Sequence, residues 1–269
     1  MYNAGMFILD IHTHVFPDDI AHATVKRMAE SAGESLHSDG TVSGLVASMD
    51  ANNVSYSATM PVATKPEQVE SINNWTIANR NDRIIPFGAM HPGYENPRKE
   101  LGRIRDAGMK GIKLHPDYQG FYPSENRIKP VLDACRELGL IVLFHAGDDF
   151  GHPRPGHSLP RLLAAMADSY QDVKFIFAHL GGYEMWDQAE KYLVGKPVFI
   201  DTSYSFPCMT KERAQRIIRA HGPGKVLLGS DSPWGGIGND IGSLLSLSFT
   251  DSEKEMILGA NAAELLDIG

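Results

Sequence analysis

The sequence predicts an α/β chain of the (β/α)8 barrel class on three observations. Short apolar runs recur at a near-constant spacing, helical stretches fill the gaps between them, and no G-x-G-x-x-G turn follows an early run to suggest a doubly wound sheet. The runs are "MFILDI", "SYSATM", "IIPFGAM", "GIKLH", "IVLFHA", "VKFIFAH", "VFIDTS" and "VLLGSD". They begin near residues 6, 55, 84, 111, 141, 173, 198 and 226. After a first gap of 49, the spacings are 29, 27, 30, 32, 25 and 28, which is the size of a βαβ unit. Eight such runs predict one barrel domain over residues 1–269.

Each connecting stretch has its own reason to be helical. "PRKELGRIRDAG", "KPVLDACRELG" and "TKERAQRIIRAHG" carry helical periodicity and close on glycine, where a helix stops and turns toward the next strand. The long first interval predicts an inserted loop or helix around residues 30–50. The tail "TDSEKEMILGANAAELLDIG" reads as terminal helices, with an asparagine near a helix start in "GANAAELL".

Composition narrows the function classes. Apolar residues make up 42% of the chain, enough for a sizeable core, and the net charge is −8. That balance argues against nucleic acid or an anionic membrane as partner, since both favour a basic face. A small-molecule substrate is the expected partner, and a homo-oligomer is compatible with a barrel of this size. The two cysteines, Cys135 and Cys208, form no C-x-x-C pair, so neither a disulfide framework nor a thiolate zinc site is expected. No secretory signal pattern opens the chain and no apolar run is long enough to span a bilayer, so a soluble cytoplasmic protein is expected.

The histidines are not scattered. Of the 11 in the chain, His12, His14, His91, His115, His145 and His179 fall at the ends of predicted strands, and Asp231 ends the eighth. Barrel enzymes place their chemistry at those ends. In "LDIHTHVFPD", side chains two apart on a strand point the same way, so His12 and His14 can meet one cation. Imidazoles with a carboxylate suit zinc, manganese or iron, and a catalytic zinc keeps one position open.

In this ensemble the chain resembles the amidohydrolase superfamily of metal-dependent barrels. It is most similar to the amidohydrolase-related branch, which includes aminocarboxymuconate-semialdehyde decarboxylase, resorcylate-type decarboxylases and pyrone-dicarboxylate lactonases. "DIHTHVFP", "FHAG", "FAHLGG" and "GSDSPW" carry the resemblance in that order along nearly the whole chain. It implies one divalent metal per chain, most simply zinc with manganese as the alternative, held by His12, His14, His145 and Asp231. It also implies catalytic roles for Asp231 and His179. The fourth run, "GMKGIKLHPDYQGF", departs from binuclear relatives by offering Lys113 and no acidic residue. Lys113 is a carbamate bridge, a cationic substrate contact or a barrel lysine snorkelling to solvent, and His115 is expected to face substrate. An acidic strand of the kind TatD-type nucleases carry is absent there.

Further substrate contacts are expected from Arg154 in the loop "GDDFGHPRPGHSLPRL", which also holds Asp148, His152 and His157 and reads as a lid. Trp234 is a candidate for stacking on a flat substrate, with packing at the barrel rim as the alternative; Tyr118 and Phe121 are equally open. The resulting expectation is a metal-dependent hydrolase of a small amide, ester or lactone. A metal lowers the pKa of bound water, Asp231 accepts its proton, and His179 or Lys113 polarises the carbonyl. The alternative is a metal-dependent decarboxylase of a carboxylated aromatic or muconate-like acid. A non-catalytic metal-binding barrel is the third reading.

Overall fold

A computed structural model describes residues 6–32 and 35–268. Its strands are β1 (Leu9–Thr13), β2 (Tyr56–Thr59), β3 (Ile84–Pro86), β4 (Gly88–Ala89), β5 (Gly111–Leu114), β6 (Ile141–Phe144), β7 (Phe175–Phe177), β8 (Phe199–Asp201) and β9 (Val226–Leu227). Helices alternate with them: α1 (Asp18–Ala32), α2 (Val42–Ala51), α3 (Val69–Ala78), α4 (Pro97–Asp106), α5 (Pro116–Gln119), α6 (Lys129–Leu138), α7 (Pro160–Ser169), α8 (Trp186–Tyr192), α9 (Lys211–His221), α10 (Ile237–Leu245), α11 (Asp251–Glu255) and α12 (Asn261–Leu266). Apart from β3 and β4, which Phe87 alone separates, successive strands are joined by helical crossovers, the (β/α)8 pattern. The third predicted run becomes two strands, β3 and β4, because Pro86 has no N–H to donate and Phe87 stands between the ladders.

The chain forms two compact units. The first comprises Met1–Thr59, Asp82–Ile84 and Asp201–Gly269, as far as these residues are described. Within it β1 pairs in parallel with β2 (Leu9 opposite Tyr56, Asp10 opposite Ser57), and an irregularity precedes Thr13 opposite Thr59. On its other side Ile11 N–H donates to the Leu228 carbonyl, 2.8 Å away, just beyond β9. Every residue of β1 is buried, so its apolar set (Leu9, Ile11) packs while Asp10 and His12 must find polar partners inside. The insertion expected around 30–50 is the end of α1 and then α2, whose N-cap Thr41 side chain accepts from Gly44 N–H; residues 33–34 lie outside the described set. In the tail α12 does begin at Asn261. Its side-chain amide donates to the carbonyls of Pro223 and Val226, both at 2.8 Å, and so ties the last helix to β9.

The second unit, Met60–Asn81 with Ile85–Ile200, holds the parallel run β4 to β8. Its registers are regular: Ala89 opposite Lys113, Lys113 opposite Leu143, Leu143 opposite Ile176, and Phe177 opposite Ile200. Phe144, Phe175 and Phe177 pack ring against ring with centroids 5.7–6.2 Å apart. Helix α6 ends where glycine was expected, at Gly139 with φ +67°. Among the described residues no helix is long and apolar enough to cross a membrane.

Candidate metal centre

In the first unit, the end of β1 and the turn after β9 bring three predicted site residues together. His14 Nε2 lies 3.0 Å from Asp231 Oδ1, and His12 Nε2 lies 3.4 Å from the same oxygen. The two imidazole centroids are 5.2 Å apart. The backbone explains the convergence: His14 N–H donates to the Ser232 carbonyl (2.6 Å) and Asp231 N–H to the His12 carbonyl (2.8 Å). Asp231 itself sits at φ +63°, a left-handed conformation that an aspartate tolerates at modest cost and that aims its carboxylate at the histidines.

Behind His12 stands a buried support. Asp201 Oδ2 is 2.9 Å from His12 Nδ1, and Ser203 Oγ lies 3.0 Å from the same nitrogen and 2.5 Å from Asp201 Oδ1. A carboxylate accepting from Nδ1–H leaves the lone pair on Nε2, the nitrogen that faces Asp231. Asp10 braces the other side, accepting from His12 N–H and from the Ser230 N–H and hydroxyl. Burial pushes Asp10 up to about 7 against those hydrogen bonds. Burial likewise raises Asp240 well above the carboxylate range, and the charges of Asp10 and Asp231 push it further. This interior is therefore rich in carboxylates and short of positive charge.

The donor set fits a divalent cation. Two ligands bound at about 2.1 Å on a tetrahedral centre lie roughly 3.4 Å apart, and the His12–Asp231 separation is 3.4 Å. Trp234 lies beside the triad, its ring 5.3 Å from His14 and 6.3 Å from Phe16, with its indole N–H directed at the Val25 carbonyl.

The second unit brings together the other predicted residues. His115 follows β5, His145 follows β6, and their rings stack at 4.1 Å with an 11° interplanar angle. His115 Nε2 is 3.4 Å from Asp149 Oδ2. His179 Nε2 is 3.1 Å from His145 Nδ1, and His145 Nε2 is 2.9 Å from the Asp148 carbonyl. The carbonyl can only accept, which assigns the His145 proton to Nε2 and makes His179 Nε2–H the donor to Nδ1. His179 and Leu180 both take positive φ (+59° and +52°), turning the chain sharply as it leaves β7. Burial pulls His115 down to about 4 and His145 well below its ordinary value, and the Lys113 charge pushes both the same way. Burial would raise Asp149, but the hydrogen bond and charge of His115 outweigh it and hold the carboxyl well below its usual range. Lys113 is buried on β5, at 1% exposure, so it does not snorkel to solvent as one sequence reading allowed.

Two residue groups depart from their expected use. Arg154 is exposed and ion-paired with Glu184, with Asp148 Oδ2 3.8 Å away. The loop read as a lid is anchored: Gly147 N–H meets the Ser158 carbonyl, Gly156 N–H meets Asp148 Oδ1, and His157 N–H meets Asp117 Oδ1. Asp148 thus spends its carboxylate on loop geometry, and the His152 ring packs on Tyr118. His91 accepts from Gly93 N–H in a turn, and Phe121 is a core residue. Sequence reasoning passed over Asp149, Asp201, Asp10 and Ser203. The signal for Asp10 and Asp201 was present, since each is a lone charge inside an apolar run.

A barrel with histidine–carboxylate triads is the architecture of a metal-dependent enzyme class, and the comparisons give the family. A family model described as amidohydrolase matches residues 9–268, and the chain belongs to that family. It is 24% identical over 228 residues to the 2-amino-3-carboxymuconate-6-semialdehyde decarboxylase of Dictyostelium discoideum, covering 71% of this chain and 63% of that protein. It is similar in structure to the manganese-bound 5-carboxyvanillate decarboxylase of Novosphingobium aromaticivorans. That match has a TM-score of 0.73, 14% identity and 98% coverage of each chain. It is also similar to a probable 2-pyrone-4,6-dicarboxylic acid hydrolase of Acinetobacter baumannii, with a TM-score of 0.65, 19% identity, and coverage of 98% of this chain and 100% of that one.

Proposed function

We propose that the protein is a metal-dependent decarboxylase, a lyase that releases CO2 from a small carboxylated aromatic or muconate-like acid. The observation that carries the proposal is the convergence of His12 Nε2, His14 Nε2 and Asp231 Oδ1, in a chain whose matched curated relative is named as a decarboxylase of a carboxymuconate. His12, His14 and Asp231 hold the cation, and zinc or manganese suits two imidazoles and a carboxylate. When bound, it supplies a Lewis acid that polarises substrate oxygen.

The chain's own residues supply the rest. Lys113 carries a buried positive charge suited to a substrate carboxylate. His179 Nε2–H, donated to His145 Nδ1 in this structure, is the proton delivered to carbon as the C–CO2 bond breaks, with a solvent proton taken up at His179 in exchange. His115, buried and neutral, contacts substrate without competing for that proton. Trp234 offers a ring face next to His14 for a flat substrate. Arg154 contacts a substrate carboxylate only after letting go of Glu184. His145 enters the cation's ligand set through the family resemblance alone. The partner is a small molecule, since a net charge of −8 opposes polyanions.

Hydrolysis is the second reading, favoured by the pyrone-dicarboxylic acid hydrolase among the structural neighbours; there Asp231 takes a proton from water. The test is a screen of carboxylated aromatics, muconate-like acids and lactones with the metal-loaded protein, reading CO2 release and ring opening separately. CO2 release that stops on chelation and returns with zinc or manganese supports the lyase. Lactone opening with no CO2 from any acid counts against it.

A further inference from the structure

We infer that Asp149 is a positioning residue: it keeps the proton of His115 on Nε2, so that His115 meets the substrate as a hydrogen-bond donor to one of its oxygens. The inference deepens the proposed function, and its substrate half rests on that reading. The hold of Asp149 on His115 stands on the geometry of the second unit alone.

The His115 ring has little freedom. Its backbone N–H donates to Gln119 Oε1 at 3.0 Å, and the Gln119 amide nitrogen donates to the carbonyls of Ala63 and Met90. The rings of Tyr118 and His145 pack against it with centroids 4.3 Å and 4.1 Å away. What the imidazole offers is therefore decided at its two nitrogens. Nδ1 faces Tyr118 N–H at 3.5 Å, and Nε2 faces Asp149 Oδ2 at 3.4 Å. An amide N–H can only donate and a carboxylate can only accept, so both neighbours require a lone pair on Nδ1 and a proton on Nε2.

Asp149 is itself aimed. Its Oδ1 accepts from Gly151 N–H at 2.7 Å, which leaves Oδ2 for His115. The neighbouring Asp148 is committed elsewhere, accepting from Gly156 N–H. The amide of Tyr118 is neutral and stands at 3.5 Å, so the charged carboxylate is the stronger of the two determinants. Yet the 3.4 Å contact is longer than a good N–H···O bond. The carboxylate fixes the tautomer without consuming the donor, and a substrate oxygen that comes closer takes the Nε2–H.

Long-range ¹H–¹⁵N correlation of the full-length, ¹⁵N-histidine-labelled protein tests the assignment, with the His115 signals identified by their loss in His115→Gln. In the wild type, Nε2 should carry the proton and Nδ1 should not. In Asp149→Asn, Gly151 N–H keeps the amide oxygen and turns the amide nitrogen, a donor, toward His115, so the proton should move to Nδ1. Asp149→Glu keeps a carboxylate and should keep the proton on Nε2. If Asp149→Asn fails to overlay the wild-type circular dichroism spectrum, Asp149→Ala takes its place, and its Nε2–H signal should be lost to solvent exchange. A wild-type His115 protonated on Nδ1 overturns the inference, as does an unchanged Nε2–H signal in the folded variant. These spectra need no substrate, so a failure of the decarboxylase reading is told apart from a failure here. With an accepted substrate, Asp149→Asn should raise KM by at least about tenfold with kcat little changed. On a His115→Gln background it should add nothing, and an equal effect in both backgrounds overturns the inference.

Discussion

Asp201 touches no substrate in this account, yet it decides which nitrogen of His12 is available. Its carboxylate lies 2.9 Å from His12 Nδ1 with both side chains buried. Asp201→Asn should therefore lower zinc affinity by about 10- to 100-fold while leaving the ligands in place, as measured by chelator competition. At the chemistry, His179→Gln should reduce kcat by about 10² to 10⁴ with metal content unchanged. Loss of metal in that variant would move His179 from proton donor to ligand. At this scale His12, His14 and Asp231 were legible in the sequence because polar side chains ending apolar strands have few structural uses. Asp149 was not. It follows Asp148 in "GDDFG", and only the fold shows that Asp148 anchors Gly156 while Asp149 faces His115.

At the scale of elements, the repeat of apolar runs located the strands because the strand residues within each run are mostly buried and tolerate few polar side chains. It missed the break at Pro86, where the apolar run continues through Phe87 but the hydrogen-bond ladder does not. Loop conformation was the least legible, because its anchors are single contacts between distant segments. Gly147 opens the loop after β6 at φ +94°, where an added Cβ would lie 2.2 Å from the Tyr183 nitrogen. Gly147→Ala should therefore destabilise by more than about 1 kcal/mol, read as a lower urea midpoint at unchanged m-value. The tie of α12 to β9 is similarly concentrated. Asn261→Ala leaves two carbonyls without their donor and should cost about 1–3 kcal/mol in the same experiment.

For the molecule as a whole, burial separates the two cysteines: Cys135 is buried, with its thiol pushed far up by desolvation, and Cys208 is exposed. A thiol reagent should modify one group in the native protein and two after denaturation, and two fast-reacting thiols in the native protein would contradict the packing of α6. The charge of −8 spoke only to partners, since the fold is shared with neighbours named as a decarboxylase and as a probable hydrolase. The central claim, decarboxylation over hydrolysis, is tested most directly by turning over an accepted substrate in ¹⁸O-labelled water with the metal-loaded protein. The account predicts CO2 release with no solvent oxygen in the organic product. Label appearing in a newly formed product carboxylate, without CO2, would contradict it.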